Sequence, residues 1–363
     1  MTSSRVSGTV RIVGSGLLGG SIGLGLTAKG VDVVLADASP SNLRLAIDYG
    51  AGRAASAPST ADHPALIVVA TPPDVVADVV AAELALFPDA VVTDVASVKA
   101  APLAALRAKG VDLARYVGSH PLAGRERGGA ISARADLFIG RPWVVSARAE
   151  NPRDAVQVVE DLARDLDANI VAMDPETHDA AVALVSHAPQ VISTLLARRL
   201  LDGSDAALAL AGAGLRDTTR IAGSQPELWV QILSANAAAV APILRAYSVD
   251  LDRIAAVLEA VDAPGSHLAL AELLASGNAG VARIPGKHGH DQRFTSLVVL
   301  LADRPGQLGR LFAHLGELEV NVEDLRFEHS PGAEVGLAEI FVVPESRERA
   351  IVGLTDLGWT ISG

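Results

Sequence analysis

The chain contains no cysteine, which excludes disulfides, thiolate zinc centres and cysteine nucleophiles. Aromatic residues supply only 3% of it, yet 50% is hydrophobic, so its cores must be built from aliphatic side chains. Basic residues are also in deficit, with 30 Lys and Arg against 42 Asp and Glu and a net charge of −12. That balance argues against a nucleic-acid or anionic-membrane partner, because phosphate surfaces need a Lys/Arg face. A small anionic substrate would need a local cationic pocket. No segment reads as a membrane span. The uncharged run from Ile12 to Ala28 lies between Arg11 and Lys29 and is punctuated by glycines, unlike a signal-peptide core. A cytoplasmic location is expected, and 363 residues suggest two or three domains.

Apolar runs of strand length occur at Thr9–Val13, Val31–Ala36, Ala65–Ala70, Ala90–Thr93 and Trp143–Ser146. Helical patterns at Leu17–Ala28, Asn42–Asp48, Val75–Leu86 and Asp154–Leu166 alternate with them. Such alternation predicts an α/β fold, a doubly wound parallel sheet covered on both faces, over residues 1–173. From Asp174-Pro175 the pattern becomes helical, through about residue 280. Asp174 can cap a helix that starts at Pro175 and ends at Gly203, kinked or divided at Pro189. Ser224 to Glu227 reads as the capping box of a second long helix running towards Pro264-Gly265. These small-residue helices resemble a packed dimer core. The Gly- and His-rich stretch from Gly277 to Gln292 reads as a linker, set at 281–292. Residues 293–363 give the order βαββαβ, a small ferredoxin-like α+β module.

The first strand feeds Gly14-Ser15-Gly16-Leu17-Leu18-Gly19. In a GxGxxG turn the first glycine permits a tight turn and the second a close approach to pyrophosphate. The third lets helix and strand pack, and the helix N-terminus offers free N–H groups. Asp37 follows the second strand, where a carboxylate bonds a ribose 2′-hydroxyl and repels a 2′-phosphate, favouring NAD over NADP. The expected cofactor side comprises Gly14, Gly16, Leu17, Leu18, Gly19 and Asp37, with Thr71 and Asp94 at the ends of later strands. Thr71-Pro72-Pro73 also reads as an ordinary turn. No HExxH pair is present and no metal is expected.

His120, in Gly118-Ser119-His120-Pro121-Leu122-Ala123-Gly124, is placed to accept a proton near neutrality, although a histidine capping a turn fits that segment equally. Ser97, in Thr93-Asp94-Val95-Ala96-Ser97-Val98-Lys99, could orient His120 or cap a helix. Arg216-Asp217-Thr218-Thr219-Arg220 could grip a carboxylate through an arginine fork, or form an internal ion pair.

Taken in order, these segments resemble the prephenate/arogenate dehydrogenase family over essentially the full chain. The resemblance rests on GSGLLGGS at Gly14–Ser21, TDVASVK at Thr93–Lys99, GSHPLAG at Gly118–Gly124, HDAAVALVSHAPQ at His178–Gln190 and LRDTTRIAGSQPELW at Leu215–Trp229. It implies that His120 is the catalytic histidine, with Ser97 as its partner. Arg220 would bind a substrate carboxylate, with Asp217, Glu126, His187, Gln190 and Trp229 shaping the site. Gln190 departs from the family pattern, where SHLPH is common. The implied reaction is NAD-dependent oxidative decarboxylation of prephenate to 4-hydroxyphenylpyruvate, by a homodimer. Arogenate is the alternative substrate, and a non-catalytic amino-acid sensor is the alternative of another class. A β-hydroxyacid dehydrogenase would need a helix lysine, and none lies between Lys109 and Lys287. The last module resembles an ACT domain, which implies tyrosine as effector near Asp303, Gly306 and Asn321.

Overall fold

A computed structural model of the chain describes residues 4–56, 59–123, 129–284, 294–328 and 335–362. Two compact units are present: Met1–Leu201 with Thr219–Ser248, and Asp202–Thr218 with Val249–Gly363.

The first unit opens with β1 (Val10–Val13), α1 (Leu17–Ala28), β2 (Val33–Ala36), α2 (Pro40–Asp48), β3 (Arg53–Ala54), β4 (Leu66–Val69), α3 (Val76–Leu86), β5 (Val91–Asp94) and α4 (Ala100–Ala108). The five strands form one parallel sheet in the order β3-β2-β1-β4-β5. Its strands are continuous apolar runs because both faces are covered. In β4, Leu66 and Val68 point to a core shared with Ile22 and Leu26 of α1. Ile67 and Val69 point the other way, to a core shared with Val76, Val80, Leu103 and Leu106 of α3 and α4. The strand order reverses at β1, which opens a crevice beyond the carboxyl ends of β1 and β4.

β6 (Gly118–Pro121), β7 (Pro142–Ser146), α5 (Arg153–Asp165) and β8 (Asn169–Ala172) follow. The parallel sheet ends at β5. The Trp143–Ser146 run belongs to a separate three-stranded sheet, β6-β7-β8, in which β6 and β7 are antiparallel. The sheets are linked by a bridge between Val92 and Tyr116. Short, polar β6 gives no apolar signal, yet it carries His120 opposite Val144.

Asp174 caps α6 (Pro175–Val182) by accepting from the Thr177 N–H at 2.8 Å. Pro189 neither kinks nor divides the helix in the ordinary way. Residues Ala183–His187 form a π-helical turn that leads into α7 (Ala188–Arg199). The wider turn accommodates a ring that lacks an N–H and would crowd the carbonyl four residues back. The continuous stretch Pro175–Asp202 is long and apolar enough to cross a membrane by composition. It nonetheless buries His178, Asp179, His187 and Gln190 within the unit, as a helix flanking a polar site does.

The remaining helices are α8 (Asp205–Leu208), α9 (Ala213–Thr219), α10 (Pro226–Ala235), α11 (Ala237–Glu259) and α12 (Ser266–Val281). The capping box is not formed: Gln225 occupies the cap, and the Ser224 hydroxyl donates to the Ile221 carbonyl. Pro226 fixes the first helical position one residue later than the box requires. The single long helix expected from there is broken at Asn236, where α10 and α11 meet at 97°. Gly277 to Val281, expected as linker, is the end of α12; residues 285–293 lie outside the described residues.

The last segment comprises β9 (Thr295–Ala302), α13 (Gln307–Glu317), β10 (Asp324–Glu328), β11 (Val335–Val342), α14 (Pro344–Asp356) and β12 (Thr360–Ser362). Its antiparallel sheet runs β10-β11-β9-β12, the ferredoxin-like arrangement. One face packs Leu297, Val299 and Leu301 against Leu311, Leu315, Ala350 and Leu354. Gly306 caps α13 in a left-handed conformation, Asp303 lies in the same turn, and the Asn321 amide donates to Glu323 at 2.6 Å.

The start of the chain is tied down by one carboxylate. Asp165, at the end of α5, accepts from the Ser4 hydroxyl and from the Arg5 and Val6 N–H groups at 2.5–3.0 Å. An acid at a helix C-terminus opposes the helix dipole, so this position is kept by its partners. Replacing Asp165 with Ala leaves the buried Val6 N–H unpaired and removes the bonds to Ser4 and Arg5, and should cost about 2 kcal/mol. Thermal unfolding should then show Tm lower by roughly 4–8 °C; an unchanged Tm would refute the clasp.

Candidate active site

The glycine turn connects β1 to α1 as the motif requires. Gly14 has φ +99°, and a Cβ there would lie 2.5 Å from the Ala70 carbonyl oxygen. A Cβ on Gly19 would overlap the Gly14 carbonyl, so these two glycines let helix, turn and β4 close on one another. Gly16 faces open space: a Cβ there would meet no atom within 4 Å. It is the cap of α1, and no side chain bonds the free N–H groups there. Leu17 and Leu18 open that helix. Asp37 follows β2 directly and is bound to the turn, accepting from the Ser15 N–H at 2.6 Å, the Ser15 hydroxyl at 2.7 Å and the Ser39 N–H at 2.7 Å. Thr71, just past β4, has a buried hydroxyl without a hydrogen-bond partner among the described residues. An open glycine cap, an uncapped helix start and an unpaired hydroxyl at a sheet switch point fit a dinucleotide.

Asp94, expected on the cofactor side, is engaged by partners within the protein. Its side chain is fully buried; the carboxylate accepts from the Lys99 ammonium, the Tyr116 hydroxyl at 2.7 Å and the Ala96 N–H at 2.9 Å. Burial pulls Lys99 below its ordinary pKa against the opposing pull of Asp94, and burial beside that same carboxylate pushes Tyr116 well above its own. Asp94 therefore holds the loop after β5. Ser97, half-buried, lies in that loop between buried Ala96 and Val98.

His120 is the centre of a chain of side chains. Its Nδ1 lies 2.8 Å from Nε2 of His178, whose Nδ1 lies 2.7 Å from the Asp179 carboxylate. Asp179 also accepts from the backbone N–H groups of Lys99 at 2.8 Å and Ala100 at 2.9 Å, capping α4 from a neighbouring helix. Burial alone would raise the Asp179 pKa. The His178 bond and the two backbone donors outweigh it, so the carboxyl is held below its ordinary value. A carboxylate can only accept, so Nδ1 of His178 carries the proton and donates. Nε2 of His178, opposite the donating Nδ1, is then the acceptor for Nδ1 of His120. The Nε2 lone pair of His120 remains for a substrate proton. Burial, with lesser contributions from His178, Lys99 and His187, holds the His120 pKa well below 6.5, so this base stays unprotonated.

His187 ends the π-helical turn and is buried. Its Nδ1 lies 3.0 Å from the Asn236 amide nitrogen, and the Trp229 ring meets it edge-on with centroids 5.9 Å apart. Burial is the main reason its pKa falls to about 4. Gln190, also buried, follows on α7. Arg220 opens a 3-10 turn, Arg220–Gly223, that packs against α7. Asp217, exposed, lies on α9. Glu126 lies outside the described residues. Thus His120, His187 and Gln190 share one unit with the turn bearing Arg220. His178, Asp179, Lys99 and Asn236 were not given roles from sequence. The His178-Asp179 dipeptide lay within a recognised segment, but helix neighbours one apart do not ordinarily face each other.

A parallel sheet with a glycine-rich first turn, adjoined by a strand that bears a buried, oriented imidazole, defines a Rossmann-type oxidoreductase. Residues 22–172 match the family described as prephenate dehydrogenase, nucleotide-binding domain, and residues 174–275 match prephenate dehydrogenase, dimerization domain. The chain belongs to the prephenate dehydrogenase family. It is 36% identical to "Probable prephenate dehydrogenase NovF" of Streptomyces niveus, covering 97% of this chain and 98% of that protein. It is 26% identical to a prephenate dehydrogenase of Bacillus subtilis, over 96% and 95% of the two chains. The crystal structure of Synechocystis arogenate dehydrogenase superposes with a TM-score of 0.60 at 26% identity, covering 75% of this chain and 99% of that one.

Both depressed histidines bear on stability. Their unfolded forms bind protons near pH 6.5, whereas folded His187 does so only near 4 and folded His120 well below 6.5. Stability from these groups is complete above 6.5 and is lost as pH falls towards the folded values. Urea unfolding at pH 7.5, 6.5 and 5.5 should show a falling midpoint. Loss of His187 and His120 by substitution with Gln should flatten that slope; an equally steep slope in the variants would exclude these rings as its source.

Proposed function

We propose that this chain is an NAD-dependent prephenate dehydrogenase, forming 4-hydroxyphenylpyruvate in tyrosine biosynthesis. The observation that carries the reading is His120: a buried imidazole, below its ordinary pKa, with Nδ1 committed to His178 and Nε2 left as acceptor. Gly14, Gly16, Leu17, Leu18, Gly19, Asp37 and Thr71 would hold NAD, which supplies a hydride acceptor when bound. His120 takes the proton of the ring hydroxyl through Nε2. Loss of CO₂ from the quaternary carbon makes the ring aromatic and drives the reaction forward. Ser97 orients the same hydroxyl, Arg220 binds a substrate carboxylate, and Gln190, His187 and Trp229 shape the remaining walls. The protein's task is to position these groups and take one proton.

The organisation proposed is 1–173 for the nucleotide domain, 174–280 for the helical domain, a linker at 281–292 and an ACT-type module at 293–363. The proposed form is a cytoplasmic homodimer. The matched dimerization domain supports the dimer, as do exposed Leu184, Val185, Leu195 and Leu201 along the helices. Tyrosine is the proposed effector, with Asp303, Gly306 and Asn321 as its contacts.

The purified chain should form NADH from NAD and prephenate, with tyrosine lowering the rate. Failure to turn over either prephenate or arogenate would overturn the reading, and turnover of arogenate alone would reassign the substrate. His120→Asn should lower kcat by roughly 10²–10⁴-fold, the scale of general-base catalysis, with KM within about threefold. A kcat that survives within about threefold would remove His120 from the chemistry.

A further inference from the structure

Asn236 stands at the 97° break between α10 and α11 and is buried. Its amide nitrogen donates to the backbone carbonyl of Asp179 at 2.8 Å and lies 3.0 Å from Nδ1 of His187. The first contact settles the orientation of the amide, because a carbonyl oxygen can only accept. The nitrogen that meets His187 is therefore a donor as well, and Nδ1 of His187 must be the acceptor. A neutral imidazole whose Nδ1 accepts carries its hydrogen on Nε2. The bond to Asn236 engages Nδ1 and leaves the Nε2–H for another acceptor. His187 belongs to the same compact unit as His120.

We propose that Asn236 is a specificity-determining positioning residue, locking His187 as a neutral Nε2–H donor and so selecting a 2-oxo acid side chain over a 2-ammonio one. The inference rests on the prephenate dehydrogenase reading. A donor N–H bonds a keto or carboxylate oxygen, but it meets an ammonium group donor to donor and leaves both unpaired. Buried Gln190 adds an uncharged amide on the same helical segment. Asn236 acts through His187 and touches no reacting atom.

The test compares kcat/KM for prephenate and arogenate in the full-length wild type, Asn236→Ala and Asn236→Asp. Removing the lock should raise KM for prephenate about tenfold, leave kcat within about threefold and lower the prephenate-to-arogenate ratio about tenfold. Asp at this position accepts from Nδ1–H, reverses the tautomer and should lower the ratio further. A ratio unchanged within about twofold, in variants that retain wild-type NAD affinity and cooperative melting, would overturn the proposal. Should the variants not fold, the wild type decides. Two-bond ¹H–¹⁵N spectra at pH 7, assigned with His187→Gln, should show His187 protonated on Nε2 alone, and a proton on Nδ1 would overturn the inference. A wild type inactive on both substrates refutes the underlying reading instead, and an active one with an unchanged ratio refutes only the role of Asn236.

Discussion

The Asp179 carboxylate is the point on which the site depends. It accepts three donors from two places: the imidazole of His178, and the backbone N–H groups of Lys99 and Ala100. Two of these donors are the start of α4, so one side chain caps a helix of the nucleotide-binding sheet while fixing the tautomer of a neighbouring histidine. A helix start left uncapped carries unpaired N–H groups, and a histidine without a partner can turn or change tautomer. Here each problem is solved by the other's partner. The geometry of the loop after β5 and the direction of the His120 lone pair are consequently coupled.

A second polar cluster supports the first from behind. Lys99 places its backbone on Asp179 and its ammonium on Asp94, which also holds Tyr116. An ion pair in so dry a setting adds little net stability, because desolvation offsets much of the attraction. Its effect is positional: it fixes the end of β5 relative to β6, the strand that bears His120. The positive charge also disfavours protonation of His120, so the same residue that shapes the loop helps keep the base free.

Much of the scaffold was legible in the sequence because it is written in local periodicity. Strands buried on both faces are continuous apolar runs, and the turn glycines stand where backbone must approach backbone. Asp174 and Pro175 mark a helix start by capping chemistry alone. The misreadings have a common cause. β6 is short and polar, so its partnership with β7 is set by tertiary contact and not by pattern. The break at Asn236 is invisible because its neighbours are all good helix formers. The box at Ser224 failed because proline at 226 fixes the helix phase more strongly than a side-chain cap does.

The site itself was legible only in part, and the division is instructive. His120 stands out because its segment is polar between apolar runs, and because an imidazole is the side chain suited to move a proton near neutrality. His178, Asp179 and Asn236 do not stand out, since their sequence surroundings are helical and much of their meaning comes from residues 49 to 80 positions away. Residues that perform chemistry are constrained by type, and residues that orient them are constrained by position. Orientation decides which lone pair or which hydrogen an imidazole presents. A reading of such an enzyme from its reactive side chains alone therefore names the acid or base without fixing its direction, and it is the direction that separates an oxygen-seeking wall from an ammonium-seeking one.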